Sequence, residues 1–183
     1  MIFATGAVAA GPFGLNKGDS LSALKPLGLE PAKSAGFYYA KSVPSPHPQF
    51  SFYGLGITPE EGLCKIIAIS KPIETSVYGS ELKDRFESMR DALIAKYGEG
   101  KTYDYLRHGS IWDESKDWMM ALIKKERVLE TYWTGGTYPD GVTGINLEVS
   151  ADERDSGQIT LSYEFDNFAA CRARTKAKDN ESL

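Results

Sequence analysis

Two stretches near the C-terminus alternate apolar and polar residues without a fault: Ile145, Leu147 and Val149 in the first, then Ile159, Leu161, Tyr163 and Phe165 in the second. Side chains on a strand point to opposite faces in turn, so a period of two demands strands with one buried face and one open face. Asp152 to Gly157, between them, is rich in turn formers and makes the pair a hairpin. Such strands belong to an antiparallel sheet packed on one side, and the rest of the chain must supply the packing.

The clearest helix runs from Ser80 to Tyr97, where Leu82, Phe86, Met89, Leu93 and Tyr97 recur at helical spacing and Gly98 supplies a left-handed stop. A shorter helical stretch, Leu21 to Leu27, has Asp19 or Ser20 as N-cap, Pro26 near its end and Gly28 as its stop. Three strands follow it, Phe37 to Val43, Phe50 to Ile57 and Leu63 to Ser70, joined by Pro-rich and turn-forming connections into a meander. Tyr103 to Ser110 reads as an irregular connector. A helical turn or two over Asp117 to Glu126 leads into a strand from Arg127 to Thr134, and a final helix begins at Phe168 after Asp166-Asn167.

This string of elements predicts an α+β fold, an antiparallel sheet with its helices on one face. One helix followed by three strands occurs twice, which suggests a tandem repeat with halves at 12–72 and 76–175. A chain of 183 residues is long enough to bury one core without staples, so residues 12–175 are expected to form one domain. Residues 176–183 are expected to fray. Residues 1–11 read as the remnant of a signal peptide, because Ala7-Val8-Ala9 has the small-x-small form of a cleavage site before Gly11-Pro12. The alternative is a disordered N-terminus on a cytoplasmic protein.

A net charge of −4 and a pI near 5.3 argue against nucleic acid as a partner, since phosphate binding needs a basic surface. No apolar run is long enough to span a bilayer. Cys64 and Cys171 can pair in an oxidising compartment, where closing so long a loop contributes about 4 to 5 kcal/mol in the chain-entropy model; the alternative is two separate buried thiols.

The opening pattern Phe13-Gly14-Leu15-x-x-Gly18-x-Ser20-Leu21-x-x-Leu24, followed by Gly28 and a three-strand meander, resembles two kinds of small periplasmic protein. One is the small lipoprotein of the outer-membrane assembly machinery; the other is the β-lactamase inhibitory protein, built from two helix-plus-strands repeats. The resemblance implies binding through a sheet face or its loops and carries over no catalytic residues. This chain departs from the lipoprotein in having no anchor cysteine after the small-residue segment, and from the inhibitor in having at most one disulfide.

Catalytic parts are scarce. His47 and His108 lie in loops without a motif, and two His with two Cys scattered along the chain do not make a zinc site. Asp152 to Gly157 lacks the spacing of a calcium loop. Gly54-Leu55-Gly56 sits inside a strand, where glycine marks a bulge or a close approach of backbone rather than a phosphate cradle. No cofactor or metal is therefore expected. The most distinctive segment is Ile111 to Met120, with two Trp, two Met and three acids. Trp118 is expected in the core; Trp112, Asp113, Glu114 and Asp117 are the candidate partner-binding residues, suited to a basic protein. Tyr38, Tyr53 and Tyr138 are weaker surface candidates. The expected function is a non-enzymatic, exported protein-binding module of inhibitor or immunity type. Two alternatives are an accessory factor of cell-envelope assembly and a small hydrolase using carboxylates near Asp113 to Asp117.

Overall fold

The computed structural model describes residues 11–181, so the segment read as a signal-peptide remnant lies almost wholly outside the described residues. Nine strands form one antiparallel sheet there: β1 Glu30–Pro31, β2 Phe37–Ala40, β3 Phe50–Thr58, β4 Gly62–Ser70, β5 Ile73–Glu74, β6 Lys101–Leu106, β7 Arg127–Thr134, β8 Val142–Ala151 and β9 Ser156–Phe165. The order across the sheet is β1-β2-β3-β4-β9-β8-β7-β6, with β5 pairing one end of β9. Two meanders, β2 to β4 and β6 to β9, thus meet through their last strands. The α+β class with an antiparallel sheet is what the alternation predicts.

Four helices accompany the strands: α1 Leu21–Leu24, α2 Ser80–Tyr97, α3 Trp118–Ile123 and α4 Phe168–Glu181. Ser20 caps α1 by accepting the Ala23 N–H at 3.2 Å, and Gly28 ends the 3₁₀ turn that follows, at φ +67°. Before α2, Gly79 sits at φ +69°, and a Cβ there would overlap the Trp118 ring, so both conformation and space call for glycine. α4 continues through much of the stretch expected to fray.

Register fixes the two faces of the sheet. Leu161 lies opposite Ala68 on one side and Leu147 on the other, and Leu147 opposite Thr131. These positions and their i±2 neighbours make the covered face. Leu82, Phe86, Met89 and Leu93 of α2, with Trp118, Met119 and Leu122 of α3, are buried in the same core as Ile159, Tyr163, Ile145 and Trp133. Phe13, half-buried, packs edge-on against Phe50 and Tyr53 of the first meander and Tyr163 of the second, at centroid distances of 5.2 to 6.0 Å. The opening motif therefore acts as a clamp across the two halves.

Four local expectations need correction. β2 ends at Ala40 rather than Val43, because Lys41 N–H turns away to donate to the Leu27 carbonyl. Lys101–Leu106 is an edge strand where an irregular connector was expected; its residues stay largely exposed, so it carries no apolar alternation to read. α3, expected to reach Glu126, stops at Ile123, where Lys125 adopts φ +57° and Lys124 N–H and Lys125 N–H close on the last turn. The helices do not all share one face. Between Gly56 and Ile57 the register with β4 slips by one residue, leaving Cys64 as the extra residue of a bulge that points with Lys65 to the far side. There Cys64 is joined to Cys171 of α4 in a disulfide, and the Lys65 ammonium lies 4.9 Å from the Phe168 ring centroid. α4 thus covers one end of the opposite face.

Candidate binding face

The residues singled out in the sequence sit together on the segment between β6 and α3, by chain proximity. Trp112 is half-exposed and its N–H donates to Ser110 Oγ; Asp113 and Glu114 are exposed, with Glu114 paired to Lys116 at 2.8 Å. Asp117 is half-buried in the 3₁₀ turn before α3. Neither depression of the open face is lined by these carboxylates. Trp118 is buried as expected, between the Lys83 ammonium at 4.3 Å and the Arg127 guanidinium at 5.7 Å from its ring. Tyr53 is no surface residue: it is 4% exposed in the core, because its strand position faces Ala68 on the covered side.

The larger feature is the far face of the sheet, which among the described residues no helix covers beyond the end held by α4. Four adjacent strands contribute the outward half of their alternation: Lys65, Ile67 and Ile69 from β4, Thr160, Ser162 and Glu164 from β9, Asn146 and Glu148 from β8, Glu130 and Tyr132 from β7. Two depressions of about 440 and 570 Å³ lie on it and share Ile67 in their linings. At the first, Tyr132 meets Tyr103 edge-on at 6.1 Å; at the second, Tyr39 and Phe52 pack with tilted rings at 4.9 Å while each remains about two-fifths exposed. Half-exposed aromatic pairs on a flat sheet are the material of binding surfaces.

Glycines shape the floor. Gly54 lines the larger depression and Gly144 the smaller. Neither has a positive φ, and a Cβ at either would find nothing nearer than 3.7 Å, an ordinary contact, although Gly144 follows a second bulge, at Thr143, where β8 slips by one residue against β9. Their backbones and their neighbours would both accept a side chain, and strand-interior glycine weakens a sheet. Gly56 is different: it faces the bulge, where a Cβ would crowd Lys65 and Phe37. The glycine pair read from the sequence as a bulge or a close approach of backbone includes that bulge.

The centre of the face is electrostatically uneven. Lys65 and Glu164, cross-strand neighbours, pair at 2.9 Å. Glu130 and Glu148 also lie directly opposite each other, and no described cation pairs with either. Burial first, and then the Glu130 charge, push the Glu148 carboxyl above its ordinary value, with Lys65 opposing weakly. Tyr132 donates to Glu130 at 3.0 Å, and burial together with that bond pushes its hydroxyl up to about 12, so it stays a donor.

No family model, no curated protein and no solved structure matches this chain. The face must therefore speak for itself. Among the described residues no group of three or more His, Cys, Asp and Glu is placed to hold a metal, and no helix is long and apolar enough to cross a membrane.

The resemblance of the opening motif implies a sheet face or its loops, but the residues of this face were missed because periodicity assigns the polar half of each alternation to solvent. A signal was present in Phe50 to Ile57 and Leu63 to Ser70, which are apolar at both parities. Phe52, Ile67 and Ile69 have no place on a face meant only for water.

Proposed function

We propose that this chain is an exported, non-catalytic binding protein that holds a protein partner against the open face of its sheet, in the manner of an inhibitor or immunity protein. The observation that carries the reading is the pair Gly54 and Gly144, glycines that neither backbone nor packing requires, each at the floor of a depression flanked by half-exposed aromatic rings. Glycine at such a place keeps room for something that approaches the backbone closely. A disulfide between Cys64 and Cys171 suits an oxidising compartment, which agrees with the export reading of the N-terminal segment. The resemblance of the Phe13 to Leu24 motif to small periplasmic binding proteins points the same way, and two meanders meeting at their last strands fit a duplicated unit.

A second surface adds to the first. Ile111, 77% exposed beside half-exposed Trp112, makes the loop before α3 a further contact region.

The test is selection of a displayed library of random peptides by the purified chain, repeated with Gly54→Thr/Gly144→Thr. The variant should fold at least as stably, since β-branched residues favour strands, and should fail to retain the peptides the wild type selects. Equal retention by the filled variant rejects the face as the binding site. Alkylation of thiols in native cells before lysis tests export: neither cysteine should react.

A further inference from the structure

We infer that the partner is basic and that one of its arginine or lysine side chains enters between Glu130 and Glu148. This rests on the open face being the binding site, and goes beyond it by naming what the centre of that face recognises.

Glu130 on β7 and Glu148 on β8 are registered directly opposite each other, so their carboxylates project side by side from adjacent strands on the same face. Like charges in that position destabilise a sheet. No described cation forms an ion pair with either carboxylate: the Lys65 ammonium is engaged by Glu164, the Lys101 ammonium, on the same face of β6, lies 4.9 Å from the Tyr103 ring centroid, and Arg127 pairs with Asp104 on the covered face. The Tyr132 hydroxyl fixes one oxygen of Glu130 and leaves the other free.

A second polar group nearby is unsatisfied. Asn146, on β8 opposite Tyr132 and two residues from Glu148, has its amide nitrogen buried without a partner and lines the same depression. A buried donor without an acceptor is costly, and a turn of the side chain toward the depression would let a main-chain carbonyl of a bound segment satisfy it. Two acceptors and one donor therefore wait at one spot. A guanidinium offers a planar fork to the two carboxylates, and its flat face suits the Tyr132 ring beside them, the Tyr103 ring having the Lys101 ammonium against it. An extended segment carrying one cation supplies both that fork and the carbonyl. Gly144, opposite Thr134 on the neighbouring strand, leaves the backbone of that segment room to lie close.

The test takes a peptide selected on the full chain, as above, and measures its affinity by calorimetry. Selected peptides should share an Arg or Lys at one fixed position. Replacing that residue by neutral citrulline or norleucine, or making Glu148→Gln or Glu130→Gln in the protein, should weaken binding by about tenfold or more, as loss of a partly buried charge pair does. Asp152→Asn, on the exposed hairpin turn, should change it less than twofold. Selected peptides without a shared cation, a loss smaller than tenfold in the Gln variants, or an equal loss in Asp152→Asn overturns the inference. If the Gln variants bind normally while Gly54→Thr/Gly144→Thr does not, the face survives as the binding site and the cation does not. If glycine filling is harmless too, the face itself falls.

Discussion

On β9, Ile159, Leu161, Tyr163 and Phe165 lie buried beneath α2 and the N-terminal clamp, while Thr160, Ser162 and Glu164 between them look onto a surface that α4 covers at one end only. The same strands thus build both faces, under different demands. Each large residue of the covered face is accounted for by its burial. The open face instead carries features that work against the sheet: strand glycines with space around them, half-exposed aromatic rings, a like-charged pair in direct register and an orphaned amide. Stability explains the first face and fails to explain the second, which is the reason to look for function there.

The contrast is most easily broken with one aromatic from each side. Phe86 of α2 is fully buried, so Phe86→Ala should cost about 3 to 5 kcal/mol in urea unfolding, the transfer and cavity terms together. Phe52→Ser on the open face, at 38% exposure, should cost no more than about 1 kcal/mol. Equal losses would mean that the open face is a second core whose cover lies outside the described residues.

The next largest effect concerns the end of the open face that α4 closes. The Cys64–Cys171 link spans 107 residues and fastens α4 over Gly56 and Phe37. Replacing both cysteines by serine should cost about 2 to 5 kcal/mol, and amide exchange should quicken first in α4. A loss confined to α4, with β3 and β4 unchanged, would show that the helix is an appendage to the sheet rather than part of its core.

How far each face was legible follows from its physics. The covered face writes itself into the sequence, because burial forces apolar residues to the period of the element that carries them; hence Ser80 to Tyr97 and the hairpin of β8 and β9 were readable to within a few residues. The edge strand Lys101–Leu106 was not, since its residues remain exposed and nothing constrains its alternation. The open face was hidden for a related reason. Glu130 and Glu148 are 18 residues apart and become neighbours only through the register of two strands. Tryptophans stand out in a string of letters, and they drew attention to Trp112 and Trp118; glycines whose importance lies in empty space above them do not. Cys64 could be seen as a partner for Cys171, but the bulge that turns it to the far side depends on pairing with Gly56.

The smallest expected effect sharpens the comparison most, because it has the unusual sign. Glu148 faces Glu130 on β7, with the Lys65 ammonium of β4, held by Glu164 of β9, on its other side, and its carboxyl is held above the ordinary value of 4.5 by burial and by Glu130. A raised value means the folded chain binds the proton more tightly than the unfolded chain does. Below the ordinary value both states are protonated and the pair costs nothing. As pH rises from about 4.5 through the raised value, the unfolded state loses its proton first, and the folded state becomes relatively less stable. Glu148→Gln removes that loss. It should match the wild type in the protonated range and exceed it at pH 7 by about 0.2 to 1 kcal/mol, the scale of a cross-strand like-charge pair, with the gap opening across that window in urea unfolding. A stabilising change that weakens capture of a basic peptide would be the signature of a residue kept for binding at the expense of the fold. If Glu148→Gln is instead less stable than the wild type at pH 7, the carboxylate is an asset of the sheet, held by Lys65, and the two faces are less different than their geometry suggests.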